Sequence, residues 1–171
     1  MKVTLSLVTA GAIAVLATGP HVAAAPVTEA RNVQLAGPPS VQTQYGHIRS
    51  LRRSGNRFVL RFDPALWLGG TTANRAAVED KVIGPGGIVP NDYYVRDEST
   101  KLLTYVVPGS ARATILTRGP KSKRIAVAEL AQIVQGRNPK RRSLYDPGNH
   151  LGYWIRVATD RVRSFDQQYQ P

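Results

Sequence analysis

Candidate catalytic residues are few in this sequence, which contains no cysteine and three histidines. His150 lies in a loop between two glycines and is a better catalytic candidate, for a small hydrolase, than His47. No G-x-S-x-G sequence marks a nucleophile, and neither His47 nor His150 adjoins a serine. A polar contact within its own loop is the simpler interpretation of His150.

Carboxylates and metal ligands give no stronger signal. Glu79-Asp80 and Asp97-Glu98 are neighbours in sequence, whereas glycoside hydrolysis needs two carboxyl groups about 5 to 10 Å apart across a cleft. Thiolate zinc sites need cysteine, and too few histidines follow residue 25 for a three-histidine site. We therefore predict no metal site and no cofactor.

Basic residues interleaved with aromatic residues are the remaining chemical signal. Guanidinium groups pair with anions, and aromatic rings stack on other rings, so the two together suit a polyanion that carries rings. A solvated charged surface is the alternative interpretation. The candidate binding residues are Arg49, Arg52, Arg53, Arg137, Lys140, Arg141, Arg142, Tyr145 and Trp154.

The charge balance agrees with such a partner. The formal net charge is +12 at pH 7, and an excess of this size attracts polyanions. We expect an anionic envelope polymer or lipid head groups rather than nucleic acid. A GC-rich coding composition, which favours arginine, alanine, glycine and proline, would also raise the charge without any such partner.

The N-terminus predicts export. Lys2 precedes an apolar run over residues 3–19, and residues 22–25 are small, as at a signal-peptidase site. We predict a signal peptide over residues 1–24, a flexible leader over 25–44 and one globular domain over 45–171. The protein would then be secreted or associated with the cell envelope, with no transmembrane span after cleavage. An uncleaved anchor is the alternative.

Three hairpins are predicted within the domain. The central one covers residues 91–107, where two runs of β-branched and aromatic residues flank a short polar segment. An N-terminal hairpin joins residues 45–53 to 57–62, with a bulge near Arg49 or Ser50 and a basic face on its second strand. A C-terminal hairpin joins residues 153–157 to 162–165.

The remaining segments predict helices, one further strand and a loop. Apolar residues recur at helical spacing over residues 125–136, and a thinner amphipathic helix is predicted over 73–80. Asp63-Pro64 predicts a helical turn, and residues 119–123 predict a surface loop. Residues 113–117 predict a strand. The fold class is mainly β (α+β): a small antiparallel barrel or curled sheet of about six to seven strands, OB-like or SH3-like, with two or three short helices.

Four segments resemble small exported proteins of Gram-positive bacteria: NDYYVRDE, VAELAQIVQGRNPK, YWIRV and DQQYQP. The resemblance implies export and brings with it no activity, ligand or catalytic residue. Two functions stay open at this point. The preferred one is a non-enzymatic binding domain of the envelope or extracellular space, for which an anionic partner is one option. The alternative is a small secreted hydrolase with an unrecognised site, for which His150 and one of the loop aspartates are the candidates.

Overall fold

The computed structural model describes residues 40–171. The predicted signal peptide and the leader up to residue 39 lie outside the described residues. Residues 40–171 are mainly β, as predicted, with eight strands and two helices. Neither of the helices in this part of the chain is long and apolar enough to cross a membrane.

The strands belong to one sheet with an unusual order. Along the path the strands run β3-β2-β1-β7-β8-β5-β6, and β4 lies beside both β2 and β8. The β4–β8 and β5–β8 pairs are parallel, and the others are antiparallel. In chain order the elements are β1 (Gln42–Ser54), β2 (Arg57–Gly69), α1 (Gly70–Glu79), β3 (Tyr93–Arg96), β4 (Leu103–Pro108), β5 (Arg112–Leu116), β6 (Ser122–Ile125), α2 (Val127–Val134), β7 (Tyr153–Ala158) and β8 (Arg161–Gln167).

The predicted N-terminal and C-terminal hairpins are both confirmed. β1 pairs with β2 and β7 pairs with β8, each antiparallel. The register of the first pair shifts between Ile48 and Ser50, which is the predicted bulge. Since successive side chains of a strand point to opposite faces, Phe58, Leu60 and Phe62 are all buried while the residues between them face outwards.

The predicted central hairpin over residues 91–107 is wrong. β3 and β4 both pair with β2, β3 along residues 66–69 and β4 along residues 57–62. β2 is thirteen residues long, so two short strands can pair with different stretches of it. The predicted helical turn at Asp63-Pro64 is also wrong, because both residues lie inside β2. Pro64 lies between the stretches of β2 that pair with β4 and with β3, and it is opposite Gly46 of β1.

The main core lies between the sheet and α2. The helix predicted over residues 125–136 is confirmed as α2, and its apolar residues Val127, Leu130 and Ile133 are buried against the strands. The helix predicted over residues 73–80 corresponds to α1, which buries Ala73 and Ala77 in a second, smaller cluster. The predicted loop over 119–123 is partly wrong, because β6 begins at Ser122. Only Ile125 of that strand is buried, so its sequence does not alternate between apolar and polar residues and did not predict a strand.

Candidate functional site

The loop over residues 137–142, which contains four of the predicted binding residues, is tied to α2. Glu129 is buried, and it forms ion pairs with Arg142 and with Lys140, whose Nζ lies 3.0 Å from Glu129 Oε2. The hydrogen bond from Arg142, together with that from Lys140, lowers the pKa of the Glu129 carboxyl. Two of the four predicted binding residues in this loop therefore hold the loop in place. Arg137 and Arg141 are exposed.

Glu129→Gln is expected to destabilise the protein by about 2 kcal/mol at pH 7, because it removes charge-assisted hydrogen bonds to a buried carboxylate. The folded-state pKa of Glu129 lies below its unfolded value. The stabilisation is therefore fully present above the unfolded pKa of about 4.3, and it is lost as pH falls through the folded pKa. Urea denaturation at neutral and acidic pH should show the difference between the two proteins shrink in acid.

The matched control is Glu98→Gln, because the Glu98 side chain is 66% exposed in its ion pair with Arg96. We expect a change below about 0.5 kcal/mol at either pH. A Glu129→Gln cost that is the same at both pH values would contradict the role assigned to the ion pairs.

His150 forms a polar contact within its own loop. Its side chain is 85% exposed, and its Nδ1 lies 3.1 Å from Oδ1 of the buried Asp146. Asp146 also accepts a hydrogen bond from the backbone N–H of Leu151 at 2.7 Å. Among residues 40–171 no serine or threonine hydroxyl forms a hydrogen bond with His150. A hydrolase that works through a serine or threonine nucleophile would hold that hydroxyl within reach of the imidazole.

The arginines of the N-terminal hairpin have different environments. Arg49, at the bulge, donates through Nε to Oδ2 of the buried Asp63 at 2.7 Å. Arg53 donates through Nε to the carbonyl of Gly55 in the adjoining turn at 3.1 Å. Arg52 lies between them on the outer face of β1 and is exposed. Of these three predicted binding residues, Arg52 is thus the one whose guanidinium forms no hydrogen bond or ion pair with a group of residues 40–171.

Strand register places Arg52 in a row that crosses four strands. Arg52 of β1 is opposite Val59 of β2, Val59 is opposite Val106 of β4, and Val106 is opposite Arg161 of β8. Neighbouring strands lie about 4.8 Å apart, so the ends of the row are separated by about 14 Å. Arg57 and Arg61 flank Val59 on the same outer face of β2. We refer to Arg52, Arg57, Arg61 and Arg161 as the arginine face.

Within the part of the chain that the structure describes, the charge of the arginine face has no paired carboxylate. All of its members are exposed, and none of them forms a salt bridge with a carboxylate of residues 40–171. Arg96 shows the contrast, because its guanidinium pairs with Glu79, Asp80 and Glu98. The half-buried side chains of Val59 and Val106 lie between the arginines and add no negative charge.

A cleft opens where β1 and β2 separate. The two strands pair as far as Tyr45 opposite Ala65, beyond which β1 follows β7 and β2 follows β3. The resulting space of about 330 Å³ is bordered by Thr43, Gln44 and Tyr45 on one side and by Leu66 and Trp67 on the other. Trp154 of β7 also lines it, so this predicted residue lies in the cleft. We call it the aromatic cleft.

The rings of the aromatic cleft are held against one another. Trp67 stacks on Tyr93 with centroids 4.3 Å apart and an angle of 8° between the planes. The ring centroid of Tyr45 lies 5.1 Å from that of Trp67, edge-on, and 5.1 Å from that of Trp154, in a tilted arrangement. Burial, and then the nearby Tyr93, raises the pKa of Tyr45 to about 12, so its hydroxyl stays neutral at physiological pH.

The C-terminal tail supports these rings through two glutamine side chains. Gln170 donates to the Tyr45 hydroxyl at 2.9 Å, and the indole N–H of Trp154 donates to Gln168 at 2.8 Å. Tyr145, the other predicted aromatic residue, lies outside the cleft. Its ring packs on that of Tyr169 in the tail, with the centroids 5.2 Å apart.

Comparison with known proteins adds no relative: the chain matches no protein-family model, no curated protein and no solved structure. The class of molecule is therefore defined by its own fold and surface, a mainly β domain with an arginine face and an aromatic cleft.

Two residues of these surfaces were not predicted from the sequence. Trp67 was assigned to a helical turn, and Arg161 was assigned to a turn. The alternation of Arg161 and Arg163 with Val162 and Ser164 was the available signal for the second.

Among residues 40–171 there is no group of three histidine, aspartate or glutamate side chains that could hold a metal ion. The arginine face and the aromatic cleft offer charge, hydrogen bonds and ring packing to a partner.

Proposed function

We propose that this protein is an exported, non-enzymatic binding domain whose arginine face binds an anionic polymer of the cell envelope. The observation that carries the proposal is the row from Arg52 through Val59 and Val106 to Arg161, with Arg57 and Arg61 beside it and no carboxylate partner among the described residues. Such a surface gains free energy when counterions are released from a polyanion.

A polymer suits this face better than a lipid surface. Membrane-surface binding combines basic residues with apolar side chains that enter the acyl region. Between the arginines lie only two valines, both half-buried in the sheet, and neither projects as an insertion residue would. A chain with repeating negative charges can instead place successive groups on arginines spread across about 14 Å of sheet.

We also propose that the sheet is a small barrel of the OB-like or SH3-like kind. The pairings β1–β2, β2–β4, β4–β8, β8–β7 and β7–β1 connect five strands in a ring. The β4–β8 link consists of the pair Val106 and Arg161, with the Val106 N–H donating to the Asp160 carbonyl at 3.1 Å. The arginine face would then lie on the outside of the barrel, across this link.

The test is the salt dependence of binding to heparin, used as a model anionic polymer, with dextran and anionic phospholipid vesicles in parallel. With about four contacts we expect log K to fall against log salt with a slope of about −3, and no binding to dextran. A slope near zero would contradict the proposal. Vesicle binding stronger than heparin binding would contradict the choice of a polymer.

A further inference from the structure

We infer that the aromatic cleft binds a sugar ring of the same polymer, so that the ligand is an anionic glycan and not a chain of phosphates alone. This inference rests on the proposed function, because the arginine face supplies the charge recognition. The cleft supplies what charge recognition lacks, a surface that distinguishes one polyanion from another. The walls of the cleft, its polar groups and its position all favour a sugar ring as the occupant.

The walls of the cleft suit the face of a ring. Trp67 is fixed by its stacking on Tyr93, which does not line the cleft, and the indole is thereby held in place at the wall. Trp154 is held by its hydrogen bond to Gln168. A sugar presents C–H groups on its face, and these pack favourably against the electron-rich faces of aromatic rings. Fixed aromatic side chains make this contact at low entropic cost.

The polar groups of the cleft suit the edge of a ring. Thr43 and Gln44 both line the space. The Gln44 side chain points to the inner face of β1, where its Oε1 accepts a hydrogen bond from the Tyr105 hydroxyl at 2.8 Å. The polar residues on the same face as the aromatic rings are therefore Thr43 and, opposite it on β7, Arg156. Binding sites for small rings combine aromatic walls with a few oriented polar groups, and about 330 Å³ lies at the lower end of their usual volume.

The cleft lies on the same outer surface as the arginine face. Positions 57, 61 and 67 of β2 alternate onto one face, and six residues of strand separate Arg61 from Trp67 by about 20 Å. Asp63 lies between them, but its charge is matched by Arg49. Arg156 of β7 is exposed, is opposite Thr43 and shares the outer face with Trp154, so a positive charge also borders the cleft. An extended glycan can therefore reach both surfaces.

Intrinsic fluorescence provides the test, because the two tryptophans of the chain both line the cleft. The probes are polygalacturonate, an anionic glycan, and inorganic polyphosphate, which has no rings. We expect both polymers to bind the full chain and only polygalacturonate to shift the tryptophan emission. Trp154→Ala should weaken polygalacturonate binding about tenfold and leave polyphosphate binding unchanged.

Two further variants keep the test decisive. Trp67→Phe retains a ring that stacks on Tyr93, so it covers the case in which Trp154→Ala does not fold. Tyr145→Ala removes an aromatic side chain outside the cleft and should change neither affinity. If polyphosphate and polygalacturonate bind alike and neither tryptophan variant discriminates between them, the sugar subsite is wrong while the proposed function stands. If neither polymer binds, the proposed function and the subsite both fail.

Discussion

Gly46→Ala is expected to destabilise the protein by more than about 4 kcal/mol, or to prevent folding altogether. A Cβ atom at this position would lie 2.1 Å from the carbonyl oxygen of Asp63 and 2.9 Å from the ring of Phe62. The first contact is with backbone, which no rotamer change can relieve. Gly46 is paired with β2 on one side and β7 on the other, so the strands would have to move apart.

Chemical denaturation of the purified variant measures this effect, with soluble yield as a second readout. Gly84→Ala is the matched control, because a Cβ atom at Gly84 meets nothing within 4 Å and its φ is not positive. We expect that control to lie within about 0.5 kcal/mol of the parent protein. A Gly46→Ala protein as stable as the control would show that β1 and β2 do not approach each other as described.

Replacing all four members of the arginine face with glutamine is expected to weaken heparin binding by about 100- to 1000-fold in about 50 mM salt. Each exposed arginine at a polyanion surface contributes about 1 kcal/mol, and the four act over one continuous area. The slope of log K against log salt should approach zero, because each lost contact removes about 0.7 to 0.9 from it. Fold stability should change little, since none of the four forms an ion pair within residues 40–171.

The control for this variant removes the same charge elsewhere. Arg137, Arg141, Lys121 and Lys123 are exposed and lie away from the row, so their replacement by glutamine lowers the net charge equally. We expect this control to retain most of the affinity. Equal losses in the two variants would mean that net charge alone, and not the arrangement of the arginine face, attracts the polymer.

Local signals in the sequence predicted the elements whose pairing is local. The N-terminal hairpin, its bulge, the C-terminal hairpin and α2 each depend on alternation or helical spacing within a few residues of a turn. The prediction of the central hairpin was wrong because the pairing of its two strands is not local. Residues 93–96 and 103–108 have strand composition, but composition does not say which strand they join, and both of them join β2.

In the candidate site, too, the sequence predicted local features and missed those that depend on distant contacts. The sequence identified Arg52 and Trp154 by residue type, yet it grouped Arg52 with Arg49 and Arg53, and Trp154 with the loop over residues 137–142. Arg49 is paired with Asp63, and Arg142 and Lys140 are paired with Glu129. A carboxylate far away in sequence decides whether an arginine is free, and no local pattern records that.

By itself, the sequence determined the excess of positive charge, the faces of the individual strands and the mainly β class, because these follow from composition and from a side-chain period of two. Only the tertiary structure decided that Arg161 completes a row with Arg52 and that Trp67 meets Trp154 across a cleft. Both arrangements depend on contacts between residues distant in sequence, where β1 and β2 part and where β4 meets β8. Such contacts are set by the packing of the whole sheet around its core, since a strand's edge can pair with any complementary partner.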